Sequence, residues 1–219
     1  MIVRLGALAV VALAMTTRAA RAQDTLQFRG ADRETSAALT RIVQAASSRG
    51  LPTDPIVAKV RFALVVHAPP GRIVETAQAV ADRLDVARAA IASDTLAGDI
   101  AAGEDALSFK IPKGILTRIH EAAPNRAIAV HIGVLTQLVA SHVPAERAGE
   151  IVTALMKRGA TPAQLVALGN DVNSDVQRGA KGAESVDIRL RGLTPLLSPP
   201  TANAGDALPG AAMTGPKKP

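Results

Sequence analysis

Apolar residues recur along this chain at helical spacing, and Pro or Gly breaks the pattern at short intervals. A chain patterned this way cannot build long strands or one long helix. It folds as short helices, each of which must bury one stripe against its neighbours. The clearest stripe is Ile73, Ala77, Val80, Leu84, Ala87 and Ile91, with Arg72, Glu75, Asp82 and Arg83 off it. Before it, Leu39, Ile42, Val43 and Ala46 mark a helix that Gly50 closes, and Asp54-Pro55 gives the next one an N-cap and a first-turn proline. After it, Ser93-Asp94 caps a helix through Leu96, Ile100 and Leu107, weakened by Gly98 and Gly103 at about 1 kcal/mol each. A short helix then runs from Pro112 through Ile115 and Ile119. Ile128, Ile132, Leu135 and Val139 form the following stripe, and a helix starting at Pro144 carries Val152 and Leu155 to Gly159. Thr161 and Pro162 open another through Leu165, Leu168, Val172 and Val176. Ser185–Arg191 reads as a turn of helix or a short strand. Phe62–Val66 is the most strand-prone run, but its flanking prolines favour a buried helix.

Composition narrows the function classes. The 219 residues include no Cys, Trp or Tyr, and Phe28, Phe62 and Phe109 are the only rings available to a core. This excludes disulfides, thiolate metal sites and cysteine nucleophiles, and argues against stacking platforms for bases or sugars. An apolar share of 48% is that of a folded protein.

Residues 1–22 read as a secretory signal peptide. Arg4 precedes an apolar run, Leu5–Met15, and Ala20-Arg21-Ala22 places the cut before Gln23. The run is shorter than the roughly 20 residues of a membrane span. Arg18 and Arg21 near the cut leave an uncleaved anchor as the alternative. Cleavage removes three of 25 basic groups and no acids, which leaves 22 against 19 acidic, a net of +3. With two of those charges at Lys217 and Lys218, no clustered basic face remains for a nucleic acid. The expectation is export to the periplasm or beyond by a Sec-type signal, with no membrane span after cleavage. Residues 23–193 form a single helical domain, and the Pro/Ala/Gly-rich stretch 194–219 is a disordered tail.

Two segments align without a gap at an offset of 75. His67-Ala68-Pro69-Pro70-Gly71-Arg72-Ile73-Val74-Glu75 matches His142-Val143-Pro144-Ala145-Glu146-Arg147-Ala148-Gly149-Glu150. Ala79 and Ala154, then Arg83 and Arg158, also match. The spacing reads as an internal duplication of a helical hairpin, about 56–84 and 131–159. Pro starts the second helix at no cost in hydrogen bonds, and Arg and Glu three apart pair on its exposed face. One hairpin cannot bury its stripe alone, so hairpins must stack. The fold class is therefore all-α, of short stacked helical hairpins, as an irregular α-superhelix or a compact bundle. His67, Arg72, Glu75, His142, Arg147 and Glu150 form a possible repeated surface motif.

The patterns Gly50-Leu51-Pro52-x-x-Pro55-x-x-x-Lys59 and Pro69-x-x-Arg72-Ile73 resemble uncharacterised exported helical proteins of bacteria. Val134-Leu135-x-x-Leu138-Val139-x-x-x-Val143-Pro144 and Arg158-Gly159-Ala160 are similar to the same group. The resemblance covers roughly residues 30–180. It implies a helical exported fold and no particular chemistry.

Other candidates for chemistry are few. His120, His131 and His142 lie 11 apart, but Pro124 interrupts the first interval and no zinc-type spacing accompanies them, so their positions near Pro read as helix ends or surface. Asp171-Val172-Asn173-Ser174-Asp175 imitates the start of a calcium loop, yet Val176 and Gly182 stand where Gly and Glu are needed. Glu104-Asp105 and Glu121 have no evident partner, and no nucleotide-binding, serine-hydrolase or zinc-protease motif is found. The expected protein is a non-enzymatic interaction or structural module of the cell envelope, binding an envelope protein or peptide and using no cofactor or metal. The alternative is an enzyme whose site is assembled from scattered polar residues.

Overall fold

The apolar stripes fold as the spacing predicts. The computed structural model describes residues 28–91, 96–124, 126–193, 195 and 197. The described residues form nine α-helices and no strand: α1 (Arg33–Ser48), α2 (Asp54–Val65), α3 (Pro70–Ala90), α4 (Ala97–Ser108), α5 (Lys113–Ala122), α6 (Ala129–Ala140), α7 (Ala145–Lys157), α8 (Pro162–Gln177) and α9 (Gly182–Leu193). None of them is long and apolar enough to cross a membrane. The expected signal peptide lies outside the described residues, as does the expected tail apart from 195 and 197.

Packing follows alternate helices. α3 lies against α1 and α5, and α5 against α7, while α4 lies against α6 and α6 against α8. The hairpin partners α2 and α3, α6 and α7, and α8 and α9 join these two ranks. The core that results is aliphatic: Leu39, Ile56, Leu84, Ile115, Leu116, Ile119, Ile132, Leu135 and Leu138 are fully buried. Of the three Phe, only Phe28 is buried.

Helix ends account for the short connections. At six of them one residue takes positive φ: Gly50, His67, Lys110, His142, Gly159 and Gly179. Each time its N–H and the next one donate to carbonyls of the last helical turn, as in His67 to Leu64 and Ala68 to Ala63. This left-handed closing turn satisfies carbonyls that a helix end leaves unpaired. The residue after it is apolar and buried at Leu51, Ile111, Val143 and Ala160.

Starts agree less closely with the sequence. Thr161 caps α8 as expected, in a capping box with Gln164. Thr53, not Asp54, is the N-cap of α2, and Pro69 and Pro144 are the N-caps of α3 and α7 rather than first-turn residues. Ser93 and Asp94 lie outside the described residues, and Leu96 stands at the N-cap of α4 without a side-chain hydrogen bond. Leu96 is exposed, not part of the stripe, because the inward face of α4's first turn is taken by Asp99 and Ile100. Gly103 also differs from a simple weak point. A Cβ there would stand 2.9 Å from the Ala87 Cβ, so glycine permits the close approach of α4 to α3. Residues 185–191 are helical, within α9.

The strand-prone run is helical through Val65, but it is not buried. Phe62, Val65 and Val66 are 65%, 74% and 55% exposed. Helical geometry sends Ala63 inward and turns these three side chains to the far side, where no described helix packs.

Candidate functional site

The two His turns share one backbone. His67 and His142 have φ of 55° and 63°, and each closes its helix with the same pair of hydrogen bonds. Left-handed φ is costly for a residue with a Cβ, by about 1–2 kcal/mol. Both imidazoles are exposed. The core positions that correspond at the same offset are buried in both copies: Val57 and Ile132, Val60 and Leu135, Ala77 and Val152, Val80 and Leu155.

The charged residues of the motif part company. Arg72 pairs with Glu75 at 3.2 Å on the open face of α3. Arg147 instead donates to Asp187 of α9, and Glu150 stands beside it in the shallow groove between α7 and α9. Arg118 of α5 takes the neighbouring Glu146 at 2.5 Å. Among the described residues, no hydrogen bond or ion pair joins the His67, Arg72, Glu75 set to the His142, Arg147, Glu150 set. The six residues therefore do not make one composite site.

The calcium-like acids are held by a guanidinium. Arg189 of α9 donates to both carboxylate oxygens of Asp175, at 2.9 and 2.8 Å, and the Ser185 hydroxyl donates to the same group at 2.6 Å. Asp171 pairs with Arg189 at 3.4 Å. These hydrogen bonds, Arg189 first, hold the Asp175 carboxyl far below the ordinary carboxylate range. Among the described residues no group of three His, Asp or Glu side chains is placed to hold a metal ion. Glu104 is buried and pairs with Arg83 at 2.7 Å, joining α4 to α3. Glu121 is exposed, and His120 is half-buried in the last turn of α5.

A different locus gathers buried polarity. Asp99 of α4 is buried, and its Oδ1 accepts from the backbone N–H groups of Ile128 and Ala129, at 2.9 and 2.6 Å. The start of α6 is thus capped by a carboxylate from another helix. Two positions on, His131 is only 9% exposed, and its Nδ1 is shut off from solvent with no hydrogen-bond partner among the described residues. Burial keeps this imidazole below its ordinary pKa of 6.5, the nearby Arg126 charge adds to that, and Asp99 opposes it. Beside it opens a cleft of about 300 Å³ lined by Ala122, Ala123, Pro124, Arg126, His131, Met156 and Ala160. Sequence reasoning placed His131 near a helix end or at the surface. The signal against that was present, since residue 131 lies three after Ile128 and four before Leu135, within the same stripe.

The chain has no significant match to any protein-family model, curated protein or solved structure.

Proposed function

We propose that this chain is an exported, non-enzymatic helical module of the cell envelope that binds a protein or peptide partner on the open face of α2. The observation that carries the reading is the apolar trio Phe62, Val65 and Val66, left in solvent on one helix end. Exposed large apolar groups that adjoin one another mark interaction surfaces, whereas scattered ones do not. The corresponding positions of α6 are Gln137, Ala140 and Ser141, and a neighbouring hairpin seats on them through glycines. A Cβ on Gly169 would stand 2.4 Å from the Gln137 Oε1, and one on Gly182 would stand 1.9 Å from the Ser141 carbonyl oxygen. A partner helix presenting small residues suits the α2 face in the same way. The signal-like residues 1–22 support export.

The test is a photo-crosslinking residue placed at position 62 in the native host, with exposed Lys157 at the end of α7 as the control site. The reading expects one discrete adduct from position 62, lost when Val65→Asp is added. Equal adducts from both sites, or none from position 62, reject it. Amino-terminal sequencing of the exported protein tests the address, with Gln23 as the expected first residue. The enzyme alternative gains weight only if the purified chain turns over a substrate.

A further inference from the structure

A stripe position in a buried helix normally carries an aliphatic group, because an unpaired polar atom in the interior costs about 1–3 kcal/mol. His131 departs from this rule. Its counterpart at the offset of 75 is Ile56, which is fully buried and apolar. A hydrocarbon fills this place in the α2–α3 hairpin, so packing alone does not call for an imidazole in the α6–α7 hairpin.

The surroundings supply a use for it. Arg126 is exposed at the mouth of the cleft and makes no ion pair among the described residues. Asp99, the acid whose charge acts on His131, already has its Oδ1 committed to the start of α6. The rest of the described lining is Ala, Pro and Met. A guanidinium with a planar fork, a neutral imidazole with one N–H donor, and small apolar side chains beside them together suit one class of ligand. The volume, about 300 Å³, is at the small end of ligand sites.

We propose that this cleft binds a small aliphatic carboxylate, its head group between Arg126 and His131 and its stem against Ala123, Met156 and Ala160. The carboxylate accepts from the guanidinium fork and from the ring edge of His131 that lines the cleft, while the enclosed Nδ1 takes no part. The stem lies along the hydrocarbon of Ala123, Met156 and Ala160 on one side of the open cleft. Nucleotides fit poorly, since the described lining offers no Phe, Tyr or Trp on which a base could stack.

Hexanoate is the probe, added to the full chain while the ring signals of His131 and of exposed His67 are followed by NMR. Hexanol and hexylamine serve as probes of equal length and different charge. Hexanoate should move the His131 signals and leave those of His67 in place, with a dissociation constant on the order of 1 mM. Arg126→Gln, at an exposed position, should weaken this roughly tenfold with the thermal midpoint unchanged. The proposal is overturned if hexanoate does not move His131, if hexylamine moves it equally, or if Arg126→Gln binds as tightly as the original.

Discussion

The turns at His67 and His142 have the same backbone and opposite surroundings. Each closes a helix with a left-handed residue and opens the next with a proline at the N-cap. Around His142, however, the chain folds back: Gly182 rests on the Ser141 carbonyl, and Arg147 reaches Asp187 of α9. Around His67 no described helix covers the face, with Phe62, Val65 and Val66 exposed and Arg72 paired within its own helix. Local sequence sets the turn. What later packs on it decides whether the same residues act as a seat or as an open surface.

The comparison can be broken most forcefully in the core. Leu138 and Ala63 correspond, and Leu138 is fully buried. Leu138→Ala should cost about 3 kcal/mol in urea denaturation, because the His142 hairpin is packed from more sides and cannot collapse onto the gap. A loss under about 1 kcal/mol would mean that the two hairpins are equally loose. Gly182→Ala should cost about 2 kcal/mol, since its Cβ meets backbone rather than a movable side chain. Phe62→Ser, on the bare turn, should change stability by less than about 0.5 kcal/mol. If Phe62→Ser is as damaging as Gly182→Ala, the first turn is covered after all.

Acid should also separate the two copies. His131 is held neutral by burial, so the unfolded chain binds a proton there more readily than the folded one. Stability from this source is present above the ordinary His range and is lost as pH falls through it. The urea midpoint should therefore drop between about pH 7.5 and about pH 5.5. His131→Ile, which installs the residue found at the corresponding position 56, should flatten that slope. A second loss should follow below the ordinary carboxylate range, as Asp175 is protonated and releases Arg189.

Smaller effects sharpen the likeness of the turns themselves. His67→Gly and His142→Gly should each stabilise by about 1 kcal/mol, because glycine enters left-handed φ without strain. A gain at one site and a loss at the other would show that one imidazole has a contact worth keeping. Arg147→Ala should cost a few tenths of a kcal/mol more than Arg72→Ala, since only the first ties two hairpins together.

The helices were legible because they depend on residues three and four apart. The stripe of α3 and the Thr161 cap of α8 needed nothing beyond their own segments. Phe62 was misplaced for the converse reason. Its hydrophobicity argued for burial, and only the absence of a described helix against that face leaves it exposed. Asp99 was illegible for a related reason: it caps a helix that begins about 30 residues later, a pairing that no local pattern announces. His131 stands in a readable stripe, yet its position near Pro argued for a helix end or the surface. The six motif residues were readable as a pattern, but Arg147 found its partner on a helix forty residues away.

The left-handed closing turns carry one more consequence. Six helix ends use the same few hydrogen bonds, all made within a handful of residues. A joint defined so locally does not need to know how many units come before or after it. A chain assembled from such joints can gain length by copying one hairpin, and the new unit arrives with its exit direction already set. Units joined in this way can differ on their outward faces alone, as the turns at His67 and His142 do.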